Sequence, residues 1–255
     1  MTSRKLQKWH GAGNDFLVDV VAEGSATWWN AARARAVCQR ATGVGADGLI
    51  VATLGTPVSM ELFNADGSSA EMSGNGIRCL AAAVRKATNA TWQSLEVSTP
   101  AGVRTVELTM HGDAGYGGVS MGEVVFLETL EGTLGVATVG NPHVVLADDP
   151  SWPDCHLEEM AEKFSSIPGG VNVEFVTVMD RGHLSMRVIE RGVGWTLACG
   201  TGSVAAAAVF HREGLCDDDV VIDNPGGALR VQLDGSEATL SGPVQFVATV
   251  EWLEA

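Results

Sequence analysis

Short runs of alternating or β-branched apolar residues recur along the chain between polar, glycine-marked breaks, and this period-two pattern predicts strands. They fall at Phe16–Val21, Leu49–Ala52, Gly102–Leu108, Val144–Ala147, Asn172–Val178, Leu184–Ile189, Val220–Ile222 and Phe246–Trp252. Two segments depart from the pattern. Ile77–Thr88 and Ser203–Glu213 are alanine-rich, lack internal Gly and Pro, and each starts just after a Gly-X-Gly, so both read as helices of the buried kind. Weaker helical patterns over Ala26–Thr42 and Leu157–Phe164 read as outer, amphipathic helices.

The two buried-type helices have matching surroundings. Ser73-Gly74-Asn75-Gly76 opens the first, and Cys199-Gly200-Thr201-Gly202 opens the second 126 residues later. Asn64 stands nine positions before Ser73, and Glu190 nine before Cys199. Gly13-Asn14 and Gly140-Asn141 each precede a strand and lie 127 residues apart. Landmarks sharing one register argue for two homologous halves of roughly 120 residues, a normal domain size. The expected halves are 1–119, carrying Ser73 and completed by the C-terminal strand 246–255, and 120–245, carrying Cys199. A site is expected between them.

Composition narrows the chemistry. Sixteen basic residues against 31 acidic ones leave a net charge of −15, which sets aside a nucleic-acid groove or an anionic membrane as partner. The start, MTSRKLQKWHGAGNDF, has no signal-peptide-like apolar run, and no later window approaches the ~18 apolar residues of a membrane span, so the cytoplasm is the expected address. Five irregularly spaced cysteines without a CxxC pair indicate neither a disulfide scaffold nor a zinc cage, and no metal is expected. The 31 glycines in 255 residues exceed the usual ~7% and gather in islands. Gly43–Gly48 spells GxGxxG but leads into a strand, the reverse of a dinucleotide-binding turn. Gly118–Gly122 spells GxSxG but also runs on into a strand pattern, where a nucleophile elbow needs a helix.

The islands at the two helix starts do carry chemistry. A residue flanked by glycine at the first turn of a helix sits beside unpaired backbone N–H groups and the positive end of the helix dipole, which suits an anion. Cys199 there is expected to have its thiol pKa pulled below about 8.5, as suits a base or nucleophile. The competing reading makes it a small core residue. His10 and His143 lie beside glycine–asparagine islands, where a structural role competes evenly with a site role. Glu190-Arg191 reads either as a surface ion pair or, by its spacing to Cys199, as part of a site.

Gly11–Phe16 (GAGNDF), Phe63–Ser68 (FNADGS), Gly74–Cys79 (GNGIRC), Gly140–His143 (GNPH), Glu190–Gly192 (ERG) and Ala198–Gly202 (ACGTG) together resemble diaminopimelate epimerase, in order along nearly the whole chain. The resemblance implies an α/β (α+β) protein of two pseudo-symmetric domains, each a curved, mainly antiparallel sheet wrapped around a central helix. It further implies a cofactor-independent enzyme interconverting LL- and meso-2,6-diaminopimelate, a small amino-acid substrate, with homodimers suggested by the family. Carried over by position, Asn14, Asn64, Asn141, Asn172, Glu190 and Arg191 would bind substrate, and Gly74, Asn75, Gly200 and Thr201 would supply backbone donors to its α-carboxylate. His143 and Glu190 would tune the two catalytic groups, Cys199 and the residue at position 73.

The sequence departs from the family at that position: Ser73 stands where the family has its second cysteine. An alcohol ionises far above the ~8.5 of a thiol, roughly like water, so the anionic base costs about 10 kcal/mol more to form. A deliberate substitution, a natural variant of altered activity and a different reaction on the same scaffold all remain open. The rival functions are another amino-acid racemase, epimerase or dehydratase of this fold, and a silent amino-acid-binding protein. Trp195 is a second departure, where the family often has Glu.

Overall fold

The computed structural model describes residues 3–26 and 28–253. The chain divides into two compact units, Met1–Val119 with Gly242–Ala255, and Ser120–Ser241.

In the first unit, β1 (Ser3–Gly11) and β2 (Asn14–Val21) form a hairpin, followed by α1 (Ala31–Cys38), β3 (Gly48–Thr53), β4 (Val58–Asn64) and the short β5 (Ser69–Ala70). Then come α2 (Gly74–Thr88), β6 (Ser94–Thr99), β7 (Gly102–His111) and β8 (Ala114–Glu123), whose end passes the unit boundary. The second unit holds β9 (Val125–Phe126), β10 (Gly135–Thr138), β11 (Pro142–Ala147), α3 (Asp154–Glu162), β12 (Asn172–Asp180), β13 (His183–Glu190) and β14 (Gly194–Thr196). It continues through α4 (Gly200–Arg212), β15 (Asp219–Asn224), β16 (Gly227–Asp234) and the first part of β17 (Glu237–Leu253), which pairs with β16 before crossing into the first unit to pair with β1.

Strand pairing runs in the same order in both units. β1–β2 is antiparallel, β2–β3 parallel, β3–β4 antiparallel and β4–β6 parallel. In the second unit β10–β11 is antiparallel, β11–β12 parallel, β12–β13 antiparallel and β13–β15 parallel. Each unit adds a two- or three-residue strand, β5 on β4 and β14 on β13, just before its alanine-rich helix.

Those helices are buried for most of their length. Alanine at successive core positions lets backbone approach sheet closely, so α2 packs on β1, β2, β3 and β7, and α4 on β10, β11, β12, β15 and β16. The fold is thus α+β, a mixed and mainly antiparallel sheet around a central helix in each unit, as the resemblance implies.

Both central helices begin three residues before the expected starts, because the glycine islands themselves form the first turn under a side-chain cap. The helix expected over Ala26–Thr42 shortens to α1, which starts only where the Asn30 side chain accepts from Arg33 N–H; Thr27 lies outside the described residues. The expected Leu157–Phe164 becomes α3, starting three residues earlier at Asp154 after Pro153. α1 lays Ala34, Val37 and Cys38 on an outer core with Leu6, Leu17, Leu49 and Phe63; α3 does the same through Leu157 with Phe175 and Val173. The strand expected over 246–255 is the end of the much longer β17, and residues 254–255 lie outside the described residues. Among the described residues, no helix is long and apolar enough to cross a membrane.

Candidate active site

Ser73 is the N-cap of α2. Its backbone is extended (φ −141°, ψ 123°) and its Oγ accepts from Gly76 N–H at 3.0 Å. A Cβ on Gly76 would meet Ser73 Cβ at 3.0 Å and Ile50 Cδ1 at 3.1 Å, so glycine lets the cap close against β3. The N–H groups of Gly74 and Asn75, the first two of the helix, have no intrahelical acceptor. Asn75 is buried, and its Nδ2 donates to Asn14 Oδ1 at 3.3 Å. Asn14, at the start of β2, donates in turn to Asp47 Oδ2 at 2.9 Å, and Arg40 bridges Asp47 to Asp15. Ion pairs with Lys8 and Arg40 hold the Asp15 carboxyl below its ordinary range although burial opposes them. Asn64 ends β4 and donates to Ser68 Oγ rather than to this chain of amides.

Cys199 caps α4 in the same way (φ −122°, ψ 116°), with Sγ accepting from Gly202 N–H at 3.4 Å and Thr201 Oγ1 3.5 Å away. His143 on β11 is wholly buried, its Nδ1 2.6 Å from Glu174 Oε1 and its Nε2 3.2 Å from Asn141 Oδ1. Glu174 is also wholly buried, and its Oε2 finds no partner among the described residues. The β11–β12 register sets His143 beside Asn172, which places Glu174 two residues farther along the same face of β12. Glu190, the last residue of β13, accepts from Thr196 Oγ1 at 2.5 Å. Asn172 Oδ1 accepts from Arg191 N–H at 2.9 Å, and the Arg191 guanidinium donates to Gly169 O. A Cβ on Gly170 would sit 2.5 Å from Arg191 Cδ, so the Gly169-Gly170 island makes room for that side chain.

The structure therefore gathers Cys199, Thr201, His143, Asn141 and Glu190, with Asn172 holding Arg191, at one helix N-terminus. Ser73, Gly74, Asn75 and Asn14 gather at the other. His10 instead accepts from Gly13 N–H within its own hairpin turn. Trp195 donates to Glu158 and lies by Phe175.

Glu174 belongs to the cluster and the sequence reading passed over it. The available signal was an acid within the otherwise apolar stretch Val173–Val176, in step with Asn172. The ligand atoms of His143, Glu174 and Cys199 lie within 4.8 Å of one another, a grouping that could hold a metal ion. Two ligands about 2.0 Å from one tetrahedral zinc would stand roughly 3.3 Å apart, whereas His143 Nδ1 and Glu174 Oε1 at 2.6 Å share a proton.

Electrostatics here differ from the expectation. Burial pushes the Cys199 thiol well above its ordinary 9.0, the Glu190 and Glu174 carboxylates push it further, and the bonds from Thr201 and Gly202 only partly offset them. The helix dipole is outweighed because two carboxylates and a dry site act on the same sulfur. Burial likewise raises Glu190 above 4.5, helped by Glu174 and opposed by Thr196, His143 and Cys199.

A sheet wrapped around a central helix, with a buried acid–base cluster at that helix's N-terminus, defines an α+β enzyme of the epimerase fold. Its architecture matches a predicted epimerase of Pseudomonas aeruginosa (TM-score 0.76, 17% identity, 99% of this chain and 100% of that one). It also matches an Agrobacterium vitis hydroxyproline epimerase solved with trans-4-hydroxy-L-proline (TM-score 0.74, 15% identity, 99% and 91%). The family model for diaminopimelate epimerase matches residues 6–127 and 135–247. Diaminopimelate epimerases of Xanthomonas campestris pv. campestris, Nostoc punctiforme and Clostridium perfringens are 34%, 35% and 31% identical. They cover 97%, 96% and 98% of this chain over 96%, 98% and 99% of their own. The chain belongs to the diaminopimelate epimerase family, a family of isomerases.

Proposed function

We propose that this chain interconverts LL- and meso-2,6-diaminopimelate by proton transfer at the α-carbon without a cofactor, on the route to lysine and peptidoglycan precursors. The observation that carries the reading is the matched pair of capped helix N-termini, Ser73 on α2 and Cys199 on α4, each with polar side chains around it. The α-proton is weakly acidic, so its removal needs a strong base, and the carbanion needs donors at its carboxylate. The N–H groups of Gly74, Asn75, Gly200 and Thr201 supply those donors. Asn14, Asn64, Asn141, Asn172, Glu190 and Arg191 hold the substrate, and His143 and Glu190 tune the acid and base.

Cys199 keeps its proton in the substrate-free protein because burial disfavours a thiolate and Glu190 and Glu174 repel it. The substrate's α-ammonium cancels that repulsion. The thiol proton then passes to the Glu190 carboxylate, and the thiolate takes the α-proton while the C–H electron pair moves into the carboxylate-stabilised carbanion. Ser73 Oγ–H returns a proton to the other face and is left as an alkoxide, the costly step. A second reading follows from Ser73 itself. Among the described residues, its Oγ is engaged by Gly76 N–H and by no acid or base, which favours a chain that exchanges one face and inverts poorly.

Incubation of LL- and meso-diaminopimelate in heavy water, with α-deuterium and stereochemistry read separately, tests both. Inversion supports the first reading, exchange without inversion the second, and binding without exchange ends the catalytic reading. Ser73→Cys is expected to raise the inversion rate roughly 10²- to 10⁴-fold, the usual worth of a positioned acid or base, and Cys199→Ala to abolish exchange. An unchanged rate in Ser73→Cys would refute the account of position 73.

A further inference from the structure

One turn into α2 lies a cation that no acid among the described residues matches. Arg78 has no exposed surface. Its Nη1 donates to Gly74 O at 2.9 Å and its Nη2 to Asn75 Oδ1 at 2.6 Å, while Nε is buried without a partner among the described residues. The groups near enough to favour its charge are the Cys79 thiol, which burial pushes up to about 12, and the Tyr116 phenol; neither is a carboxylate. Burial lowers Arg78 to about 10, so it remains a guanidinium at neutral pH. Glycines of β1 and β8 cradle it: a Cβ on Gly11 would lie 3.4 Å from Nη2, and one on Gly117 3.5 Å from Cδ. A buried charge without a counter-charge opposes folding unless a partner pairs with it.

Both of its hydrogen bonds lead to the first turn of α2. Nη2 claims Asn75 Oδ1, which fixes the Asn75 amide so that Nδ2 faces Asn14, and the Asn14 amide is fixed by Asp47 in turn. We propose that Arg78 is the fixed counter-cation of a carboxylate site at the N-terminus of α2, a positioning residue whose missing partner is the carboxylate of the bound amino acid. This rests on the reading above that the first turn of α2 takes up the substrate's carboxylate. The helix dipole, the N–H groups of Gly74 and Asn75 and the guanidinium behind them all favour the same ligand charge.

Binding of meso-diaminopimelate and of cadaverine, which keeps both amines but no carboxylate, is measured by calorimetry, and melting is followed with and without ligand, for the unsubstituted chain, Arg78→Met and Arg78→Lys. In the unsubstituted chain diaminopimelate binds and cadaverine does not; absence of diaminopimelate binding there overturns the underlying reading itself. Arg78→Met is expected to weaken diaminopimelate binding at least tenfold, to keep or raise the melting temperature of the ligand-free protein, and to shrink the ligand-induced rise in melting. Arg78→Lys restores the charge and is expected to recover affinity to within about tenfold. Unchanged affinity in Arg78→Met refutes the assignment of Arg78 alone. Where Arg78→Met lowers both stability and affinity or does not fold, the lysine variant decides: affinity near that of the unsubstituted chain supports the charge role, and loss in a folded Arg78→Lys overturns it.

Discussion

Cys199 is surrounded by groups that act on its proton in opposite directions. Its Sγ accepts a backbone N–H, which favours thiolate, yet Glu190, Glu174 and burial hold the proton on. Removing one carboxylate therefore has a definite sign. Glu190→Gln lowers the thiol pKa and speeds Cys199 alkylation by iodoacetamide near neutral pH, with tenfold more thiolate for each pH unit the pKa falls. Mass spectrometry separates that label from the exposed Cys155. Glu190 also leaves a mark on stability. Its folded pKa lies above 4.5, so its contribution is fully present below about 4.5 and is lost as pH rises through the raised value. Glu190→Gln should flatten that decline, and a slope or alkylation rate identical to the parent's would mean that burial alone governs the sulfur. At this scale the sequence was only partly readable. Spacing picked out Cys199, Glu190 and Ser73, but the thiol shift is set first by burial and then by Glu190 and Glu174, and neither the burial nor the Glu174 contact, made through strand register, can be read from nearness in sequence.

Between α4 and β12 the first helical turn leaves no room for a side chain. A Cβ on Gly202 would lie 2.5 Å from Glu174 Oε1, whereas the equivalent Gly76 meets only Ser73 and Ile50 at 3.0 Å or more. Gly202→Ala must displace the carboxylate and break its bond to His143. The expected result is an α-proton exchange rate at least 10²-fold lower and a loss of roughly 1–3 kcal/mol in thermal or denaturant unfolding. Near-parental exchange would show that the Glu174–His143 pair has no part in the chemistry. The alanine-rich helices were legible because each combines helix formers with an absence of internal Gly and Pro directly after a Gly-X-Gly. Their first turns were not, since glycine belongs there for closeness to strands far away in sequence. β1 escaped the reading for another reason: its register shifts between Lys8 and Trp9, which breaks the alternation that marks a strand.

β17 is the strand that serves both units. Ser241, Leu240, Thr239 and Ala238 pair with β16, and residues Gln245 to Leu253 pair with β1. Val250 and Trp252 also pack on the cluster of Leu6, Leu17, Trp29 and Leu49 under α1. A chain ending at Ser241 keeps every strand of the second unit but leaves β1 with an unpaired edge and that cluster with a hole. Exposed edge hydrogen bonds and lost apolar burial both weaken the first unit. Hydrogen exchange of the truncated chain is expected to show the amides of β1, β2 and β3 losing protection while those of α4, β12 and β13 keep it. Equal protection in β2 and β3 would mean that the first unit closes its core without the returning strand. Loss of protection in α4 and β12 as well would mean that the second unit does not stand without the first, and that the repeated pairing order reflects two halves of one cooperative fold.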